Sequence, residues 1–368
     1  MDALTTPSNW QRVRLGDIFF ITAGGDLSKP HYSNTKQSDF NYPIYSNAIE
    51  KKGLYGYSSF FIIKNKSITI TSRGTIGVAF FRDYPYVPIG RLLVLQPKIS
   101  NIDCRFYTEY INSKVKFNTE QTTIPQLTIP KVALCEILLP PLNEQIAIAN
   151  ILSDVDRYLY SLDALILKKE SVKKALSFEL LSQRKRLKGF NQNWQRVRLG
   201  DICEITTGSL DANEMVHYGK YRFYTCAKEY YFIDKYAFDT EAILISGNGA
   251  YVGYVHYYKG KFNAYQRTYV LDNFSEHIIF VKYFLTMFLQ SHIQTNRNEG
   301  NTPYIVMATL KDFEILLPPL NEQIAIANIL SALDHEIISL KNKKRQFDNI
   351  KKALNHDLMS AKIRVLKK

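Results

Sequence analysis

The fold of this chain is constrained above all by an internal duplication of its sequence. The segment NWQRVRLGDI at 9–18 recurs unchanged at 193–202, and ILLPPLNEQIAIANILS at 137–153 recurs unchanged at 315–331. The shorter segment KKAL occurs at 173–176 and again at 351–354. Identical matches of this length do not arise by chance, so the chain is a tandem duplication and both copies must share one fold.

Each copy reads as a mixed segment followed by a long helix. The mixed segments run from about Trp10 to Pro140 and from about Trp194 to Pro319. The paired prolines that end them favour extended backbone, and the asparagine two residues later is a good helix N-cap. We therefore predict helices from about 143 to 187, where Gly189 stops the first, and from about 321 towards the C-terminus.

The mixed segments have the character of two compact globules that contain both strands and helices. SFFIIKNKSITITS (59–72) and YVLDN (269–273) are rich in β-branched and aromatic residues, which indicates strands. SEHIIFVKYFLTMFLQSHI (275–293) has apolar residues at helical spacing. The predicted fold class is α+β, with two mixed α/β globules and a pseudo-twofold internal repeat.

Both long helices carry an apolar seam at coiled-coil spacing. In the first helix the seam consists of Ile148, Leu152, Val155, Leu159, Leu162 and Ile166, followed after a stutter by Val172, Leu176 and Leu180. In the second it consists of Ile326, Leu330, Leu333, Ile337 and Leu340, followed by Ile350, Leu354 and Leu358. We expect the two seams to pair as an antiparallel coiled coil, about 65–70 Å long at 1.5 Å per residue, that acts as a ruler between the globules.

These patterns predict four segments. The first globule covers 1–141, the first helix 142–188, the second globule 189–319 and the second helix 320–368.

Charge and cysteine content narrow the class of protein. Lysine and arginine number 47 against 34 acidic residues, a net charge of +13, which favours a polyanionic partner. No stretch approaches the ~20 apolar residues of a spanning helix, so no membrane is expected. The four cysteines have no zinc-ligand spacing, and we expect a reduced, cytoplasmic protein without a metal site.

The order of a globule, a PPLNEQ junction and a long helix, present twice, resembles the specificity subunit of type I restriction–modification enzymes. The resemblance rests on LLPPLNEQIAIANIL and WQRVRLGDI, each in duplicate, and covers essentially the whole chain. It implies that each globule is a target recognition domain that reads one half of a bipartite site in double-stranded DNA. It also implies that the helices bind two methyltransferase subunits, which restriction (motor-nuclease) subunits can join.

The resemblance further implies a non-catalytic chain. S-adenosylmethionine, ATP and Mg are then expected only on the partner subunits, and no catalytic, cofactor or metal residue is expected here.

The sequences of the two globules have diverged, whereas the anchor segments are identical in both copies. TSRGTIGVAF (71–80) corresponds to SGNGAYVGYV (246–255), and GRLLVLQPK (90–98) to QRTYVLDN (266–273). The glycines of the turn persist while its other side chains change. Two unlike globules on a constant scaffold predict an asymmetric target with two different half-sites around a non-specific spacer.

Five residues of these turns are candidates for DNA contact. They are Arg73, Arg91, Asn248, Gln266 and Arg267. Arginine is suited to guanine, and asparagine or glutamine to adenine, so Arg73, Asn248 and Gln266 are candidate base readers. Arg91 and Arg267 are equivalent in the repeat and are better candidates for phosphate contacts. The alternative is an ordinary surface loop or, for the arginines, a structural salt bridge.

Other readings of the sequence remain open at this point. The basic runs SQRKRLK (182–188) and KNKKRQ (341–346) suit DNA phosphates, an acidic partner face or plain solvent. NTPY (301–304) and GNGAYVG (247–253) weakly resemble the catalytic and cofactor loops of a stand-alone adenine methyltransferase. A purely structural coiled-coil adaptor would also explain the helices.

Overall fold

A computed structural model of the chain describes residues 7, 9–117, 125–296 and 303–365. It divides into two compact units, of which unit 1 is Met1–Asp163 with Lys343–Lys368 and unit 2 is Ala164–Asn342. Each unit thus contains one globule and parts of both long helices. The four predicted segment boundaries stay a prediction, because these units group the segments differently.

Unit 1 contains three small sheets in its described residues. Its strands are β1 Gln11–Arg14, β2 Phe19–Ala23, β3 Tyr32–Ser33, β4 Tyr42–Tyr45, β5 Leu54–Ser58, β6 Ser67–Ile70, β7 Ala79–Arg82, β8 Val87–Pro88, β9 Leu93–Pro97 and β10 Glu136–Leu139. Its helices are α1 Leu15–Ile18, α2 Cys104–Lys114, α3 Ile129–Ala133 and the first part of α4 Leu142–Leu181. The strand orders are β1-β10, β2-β9-β6-β7 and β3-β5-β4-β8.

Unit 2 repeats this arrangement with fewer, longer strands. Its strands are β11 Gln195–Arg198, β12 Glu204–Thr207, β13 Tyr221–Tyr224, β14 Tyr231–Ile233, β15 Phe238–Ser246, β16 Val255–Ala264, β17 Thr268–Asp272 and β18 Glu314–Leu317. Its helices are α5 Ile278–Asn296, α6 Met307–Lys311 and the first part of α7 Leu320–Met359. The orders are β11-β18 and β12-β17-β15-β16-β13-β14. The predicted strand at 269–273 and helix at 275–293 are therefore confirmed within a residue or a turn.

One proline explains why unit 1 has two four-stranded sheets where unit 2 has one sheet of six. In unit 2, β16 pairs with β15 along its length and with β13 at its end, so it joins both halves of the sheet. In unit 1 the corresponding stretch is split into β7 and β8 around Pro85, which has no N–H to donate.

The strand predicted over 59–72 is too long. Only Ser67–Ile70 forms a strand, and Ile63 adds a single bridge to Tyr86. Phe60, Phe61 and Ile62 are exposed, and the backbone before the strand bonds to Tyr86 at Ile62 and Ile63 without continuing as a ladder in the described residues.

The two repeated anchors are packing partners, which explains why they are constant. β1 of the first anchor pairs antiparallel with β10 of the second, and β11 pairs with β18 in the same register. Beyond each strand, Leu15 N donates to Cys135 O at 2.9 Å and Leu199 N to Phe313 O at 2.8 Å. Each pair ties the start of a globule to its end, directly before the long helix.

The long helices are shorter than predicted. α4 and α7 each contain 40 residues, or about 60 Å at 1.5 Å per residue. α4 ends at Leu181 and not near 187, because Gln183 has a left-handed φ of 62° and the chain turns back so that Arg186 reaches Glu322.

The helices pair antiparallel within each unit, as predicted. In unit 1, Lys351 Nζ lies 2.6 Å from Asp156 Oδ1 and Lys344 Nζ lies 2.6 Å from Asp163 Oδ1. In unit 2, Lys341 pairs with Glu170 and Lys169 with Glu336. Residues that ascend along α4 meet residues that descend along α7.

The predicted seam is confirmed where its spacing is regular. Leu152, Leu159, Leu162, Leu330 and Ile337 are buried, and Val155, Leu333 and Leu340 are half-buried.

The predicted stutter is wrong. Val172 and Ile350 are 46% and 50% exposed. The steps of three and four continue without interruption through Lys169 and Lys173 in α4, and through Lys344, Phe347 and Lys351 in α7. These lysines lie along the seam with their stems and place their ammonium groups on acidic residues of the facing helix, so a search for apolar residues does not find them.

Candidate nucleic-acid interface

Three loops and one later segment meet in unit 1, and we call this group loop cluster 1 (Ser46–Asn47, Thr71–Val78, Ile89–Arg91 and Pro125–Leu127). Ser72 N donates to Asn47 Oδ1 at 2.7 Å, and Asn47 Nδ2 donates to Gly90 O at 2.6 Å. Ser72 Oγ donates to Arg91 O at 2.7 Å, and Leu127 N donates to Ser72 O at 2.9 Å. The loops are therefore fixed to one another by hydrogen bonds and not only by their flanking strands.

Loop cluster 1 brings both predicted arginines of the first globule together. Arg73 is exposed on the turn between β6 and β7, and its Nη2 donates to Gln126 Oε1 at 3.2 Å. Arg91 is exposed on the neighbouring loop with a left-handed φ of 67°, and its N donates to Gly24 O at 3.1 Å. Neither arginine has a carboxylate partner among the ion pairs of the described residues.

The equivalent group in unit 2 is loop cluster 2 (Thr225–Cys226, Ser246–Tyr254, Tyr265–Arg267 and Pro303–Ile305). Gly247 N donates to Arg267 O at 2.8 Å, and Ile305 N donates to Gly247 O at 2.9 Å. The Tyr269 hydroxyl donates to Ile305 O at 2.9 Å, and burial raises the pKa of this phenol, so it remains a donor. Cys226 stands where unit 1 has Asn47, and its Sγ donates to Arg267 O at 3.3 Å.

The three candidates of the second globule meet different surroundings in loop cluster 2. Asn248 lies on the turn between β15 and β16 and forms an antiparallel bridge with Tyr304. Arg267 is exposed beside it. Gln266 is also exposed, but its Nε2 donates to Asp211 Oδ1 at 2.6 Å, so one of its two amide donors is already used within the protein.

The turns that carry Arg73 and Asn248 have the same backbone design, as the sequence comparison predicts. Gly77 N donates to Thr71 O at 2.8 Å, and Gly253 N donates to Ser246 O at 2.7 Å. Gly74 has a φ of 67° and Gly249 one of 78°, and no described atom lies within 4 Å of a Cβ built on either. These glycines are thus required by backbone conformation and not by a neighbour.

Two residues of the clusters, Gln126 and Tyr304, escape sequence reasoning. Both follow a proline that the copies share, and both precede a buried anchor, Leu127 or Ile305. The proline is visible in the sequence, but the approach to the turn is a contact across 53 residues of chain. The only available signal is that the position after a shared proline differs between the copies.

The described residues give little support to the alternative of a stand-alone adenine methyltransferase. GNGAYVG (247–253) is a turn between the antiparallel strands β15 and β16, where a cofactor loop would open a helix. Of NTPY, Asn301 and Thr302 lie outside the described residues. In the part of the chain that the structure describes, no group of three or more histidine, cysteine, aspartate or glutamate residues is arranged to hold a metal ion.

A buried carboxylate joins the globule of unit 1 to its helices. Glu144, in the first turn of α4, has a side chain that is only 3% exposed. It accepts hydrogen bonds from Arg364 Nε at 2.8 Å and Nη2 at 3.3 Å, and from Trp10 Nε1 at 3.0 Å. The repeated tryptophan of the first anchor and Arg364 therefore both donate to the repeated glutamate of the second anchor.

The same arrangement in unit 2 accounts for part of the first basic run. Glu322 is fully buried and accepts from Arg186 Nη2 at 2.7 Å and from Trp194 Nε1 at 3.2 Å. In the same run Lys185 pairs with Glu179 at 2.7 Å. These two cations of the run 182–188 are paired within the chain.

The second basic run is largely part of the helix pairing. Lys341 and Lys344 form the ion pairs described above, and Lys343 Nζ lies 5.5 Å from the ring centroid of Tyr158. Arg345 is exposed. The main role of this run is therefore to stabilise the pairing of the two helices.

Each globule touches the helix seam at one acidic site, and the two sites differ. In unit 2, Asp334 accepts from Lys173 and from the Tyr283 hydroxyl at 2.6 Å. Burial acts to raise the pKa of Asp334, but these two donors hold it below its ordinary value.

In unit 1 the corresponding site contains a glutamate in place of the tyrosine. Glu109 of α2 accepts from Asn355 Nδ2 at 2.9 Å, with Lys351, Asp156 and Lys52 as its charged neighbours. Burial raises the pKa of Glu109. The Oδ1 of Asn355 is buried without a partner among the described residues.

The long helices also present apolar side chains to solvent. Tyr160 is 78% exposed, and Ile338, its equivalent in the repeat, is 55% exposed. Leu167 is 64% exposed. Tyr160 and Ile338 therefore place an apolar side chain at the same exposed position of each helix.

The chain can now be compared with known proteins. A profile of the family described as "Type I restriction modification DNA specificity domain" matches residues 7–169 and again residues 191–347. The chain belongs to this family. One match for each copy agrees with the internal repeat.

Relatives with known names agree with this membership. The specificity subunit of the type I restriction enzyme EcoDI from Escherichia coli is 37% identical over 171 residues, which is 46% of this chain and 37% of that protein. The chain thus spans well under two thirds of that relative. The MjaVIII specificity subunit from Methanocaldococcus jannaschii is 24% identical over 99% of this chain and 95% of its own length.

A solved structure shares the fold. The S subunit of a type I restriction–modification system from M. genitalium has a TM-score of 0.70 and 19% identity, covering 95% of this chain and 96% of that chain. The predicted fold class, two mixed globules with long paired helices, is therefore confirmed.

Among the described residues, none of the helices is both long and apolar enough to cross a bilayer.

Proposed function

We propose that this chain is the non-catalytic DNA-recognition subunit of a type I restriction–modification enzyme. Loop clusters 1 and 2 would each contact one half of an asymmetric, bipartite sequence in double-stranded DNA. The observation that carries the proposal is a constant loop framework with different side chains at its surface, exposed Arg73 and half-buried Gln126 in one cluster, half-buried Asn248 and exposed Tyr304 in the other. The net charge of +13 supports a polyanionic ligand.

Arg91 and Arg267 would serve a shared purpose on phosphates. They occupy equivalent loops, they are exposed, and their backbone carbonyls accept hydrogen bonds within the clusters. A cation at the same place in both globules suits a ligand group that is present at every site, which is the sugar–phosphate backbone. Of the five candidates, Gln266 is supported least, because Asp211 already holds its amide.

The helices would bind two methyltransferase subunits in the cytoplasm, and restriction subunits would join that complex. The proposal is supported by Tyr160 and Ile338, which repeat one exposed apolar position, as two copies of one partner require. S-adenosylmethionine, ATP and Mg would bind to those partners.

The decisive experiment expresses the chain with its cognate methyltransferase subunit and maps the methylated sequences in cells. Exchange of residues 10–140 for the corresponding globule of another family member should change one half of the motif. Exchange of residues 194–319 should change the other half. A motif that changes in both halves, or in neither, would contradict the proposal.

A binding measurement on the purified complex separates the reader from an adaptor. Retention of a duplex that contains the mapped motif should weaken steeply with salt, since each phosphate contact releases counterions. A pure adaptor would retain no DNA at any salt concentration.

A further inference from the structure

We propose that Gln126 and Tyr304 are specificity-determining residues that act together with Arg73 and Asn248. The inference rests on the proposed function and extends it to the segment after each shared proline. This segment belongs neither to the turn nor to the neighbouring loop, yet it reaches the turn in both units.

The backbone delivers these residues in the same way in each unit. Leu127 N donates to Ser72 O, and Ile305 N donates to Gly247 O, both at 2.9 Å. Leu127 is fully buried and Ile305 is 4% exposed. The preceding side chain, which alternates to the opposite face of an extended segment, is thereby placed beside the turn.

In unit 1 the result is a surface that offers hydrogen-bond donors. Arg73 uses one N–H on Gln126 Oε1, which occupies the acceptor of the carboxamide. The remaining N–H groups of the guanidinium and the two N–H groups of the Gln126 amide are all donors. In the major groove guanine presents two adjacent acceptors, O6 and N7, so the pair suits guanine.

In unit 2 the corresponding surface is mixed. The Asn248 carboxamide has both donors and an acceptor, the pattern that matches N6 and N7 of adenine. Tyr304 is 39% exposed and is fixed beside it by the Asn248–Tyr304 bridge and by Gly249 N, which donates to Pro303 O at 2.9 Å. Its ring can contact an apolar group such as a thymine methyl.

A plain positioning role for Gln126 makes a different prediction. If Gln126 only holds Arg73, then Gln126→Glu should hold it at least as well, since a carboxylate binds guanidinium more strongly. If Gln126 contacts a base, Gln126→Glu removes two hydrogen-bond donors, adds acceptors and neutralises the charge of Arg73. The order of the two effects therefore separates the roles. A positioning role predicts that Gln126→Ala relaxes discrimination more than Gln126→Glu does, and a base-contacting role predicts the reverse.

The test measures methylation of duplexes that differ at single base pairs, using each variant in complex with the cognate methyltransferase subunit. For Gln126→Glu we expect discrimination to fall about 5- to 150-fold at one base pair of one half-site, the range of a lost bidentate base contact. The other half-site should be unaffected. Gln126→Ala should relax the same base pair more weakly.

Unit 2 provides the reciprocal test. Tyr304→Ala should relax one base pair of the other half-site. Tyr304→Phe should leave that base pair unchanged if the ring is what makes contact, and should relax it if the hydroxyl is; either result supports a role for Tyr304. Gln11→Ala, an exposed glutamine on β1 of the scaffold, serves as the matched control and should leave both halves unchanged.

The possible outcomes distinguish a failure of this inference from a failure of the proposed function. If Arg73→Ala alters the motif while both Gln126 variants retain it, the inference is wrong and the proposed function stands. A uniform loss of methylation at all sequences, with an unchanged melting temperature, would also overturn it. If neither these variants nor exchange of residues 10–140 changes the motif, the proposed function itself fails.

Discussion

The buried ion pair between Glu144 and Arg364 should contribute substantially to the stability of unit 1, and Arg364→Met tests this. Methionine keeps much of the apolar stem and removes the charge. Glu144, whose side chain is 3% exposed, then loses both guanidinium donors, at 2.8 and 3.3 Å, and keeps Trp10 Nε1 at 3.0 Å.

The expected loss follows from that residual charge. Breaking a buried ion pair from one side costs about 3–5 kcal/mol. Because Arg364 itself is 34% exposed and Trp10 still donates, we expect the lower end, about 3 kcal/mol. For a unit of this size the melting temperature should fall by about 6–12 °C.

The chain provides its own probe for each unit. It contains two tryptophans, Trp10 and Trp194, and each donates to the buried glutamate of its own unit. In a Trp194→Phe background, urea unfolding followed by fluorescence reports on unit 1 through Trp10 alone. A Trp10→Phe background reports on unit 2, where Arg186→Met should act on Glu322 in the same way.

Two further variants show whether the buried charge is the cause. Adding Glu144→Gln to Arg364→Met should recover most of the loss, to within about 1 kcal/mol of the parent, because a neutral amide still accepts from Trp10. Arg157→Met removes an exposed pair with Asp154 and should change stability by less than about 0.5 kcal/mol. A loss below about 1 kcal/mol for Arg364→Met, or a double variant as unstable as the single one, would refute the reasoning.

Three further predictions follow from the same structure. Burial raises the pKa of Glu109, so its carboxyl favours the neutral form when folded, and the stabilisation that this gives at low pH is lost as the pH rises through the folded pKa. Glu109→Gln should therefore raise the melting temperature at pH 8, with a gain that disappears towards pH 4. Lys351→Met should change the free energy of unfolding by less than about 1 kcal/mol, because its partner is 48% exposed and is rehydrated; a loss as large as that of Arg364→Met would contradict this. Tyr160→Arg and Ile338→Arg should each weaken binding of the methyltransferase subunit in size-exclusion experiments without reducing thermal stability, and unchanged binding in the double variant would exclude that face.

The scaffold could be predicted from the sequence because its contacts are short-range or repeated. The paired prolines mark the start of each helix, and α4 and α7 begin at Leu142 and Leu320. The predicted asparagine cap is wrong, because Asn143 and Asn321 lie inside the first turn and Pro141 and Pro319 supply the first carbonyl acceptor. Steps of three and four identify the seam as far as Ile166. Beyond that point the seam uses Lys169 and Lys173, and hydropathy alone cannot distinguish a lysine stem that packs from one in water.

The candidate interface could be predicted only in part, since its decisive contacts join distant segments. The glycine turn points to Arg73 and Asn248, and both lie in the loop clusters. Nothing local indicates that Gln126 meets Arg73 or that Asp211 holds Gln266. Such pairings depend on how the strands are ordered, which one sequence without its fold does not specify.

Loop cluster 1 is braced by side chains to a greater extent than loop cluster 2. In unit 2 the continuous hairpin of β15 and β16 fixes the turn through backbone hydrogen bonds, and Ser246 Oγ has no partner among the described residues.

In unit 1 the turn has the same backbone hydrogen bonds, and side chains add further constraints. Thr71, the equivalent of Ser246, donates through Oγ1 to Thr75 O at 2.6 Å and accepts from Val78 N at 3.0 Å. Asn47 joins two loops through its amide, where Cys226 makes two weak sulfur contacts. One loop geometry is thus reached by two different sets of contacts, so the residues that hold it differ between the copies just as the residues that face outward do. Divergence from one copy to the other is therefore insufficient evidence of base contact, and only divergent positions that are at least partly exposed, such as Arg73 and Gln126, qualify.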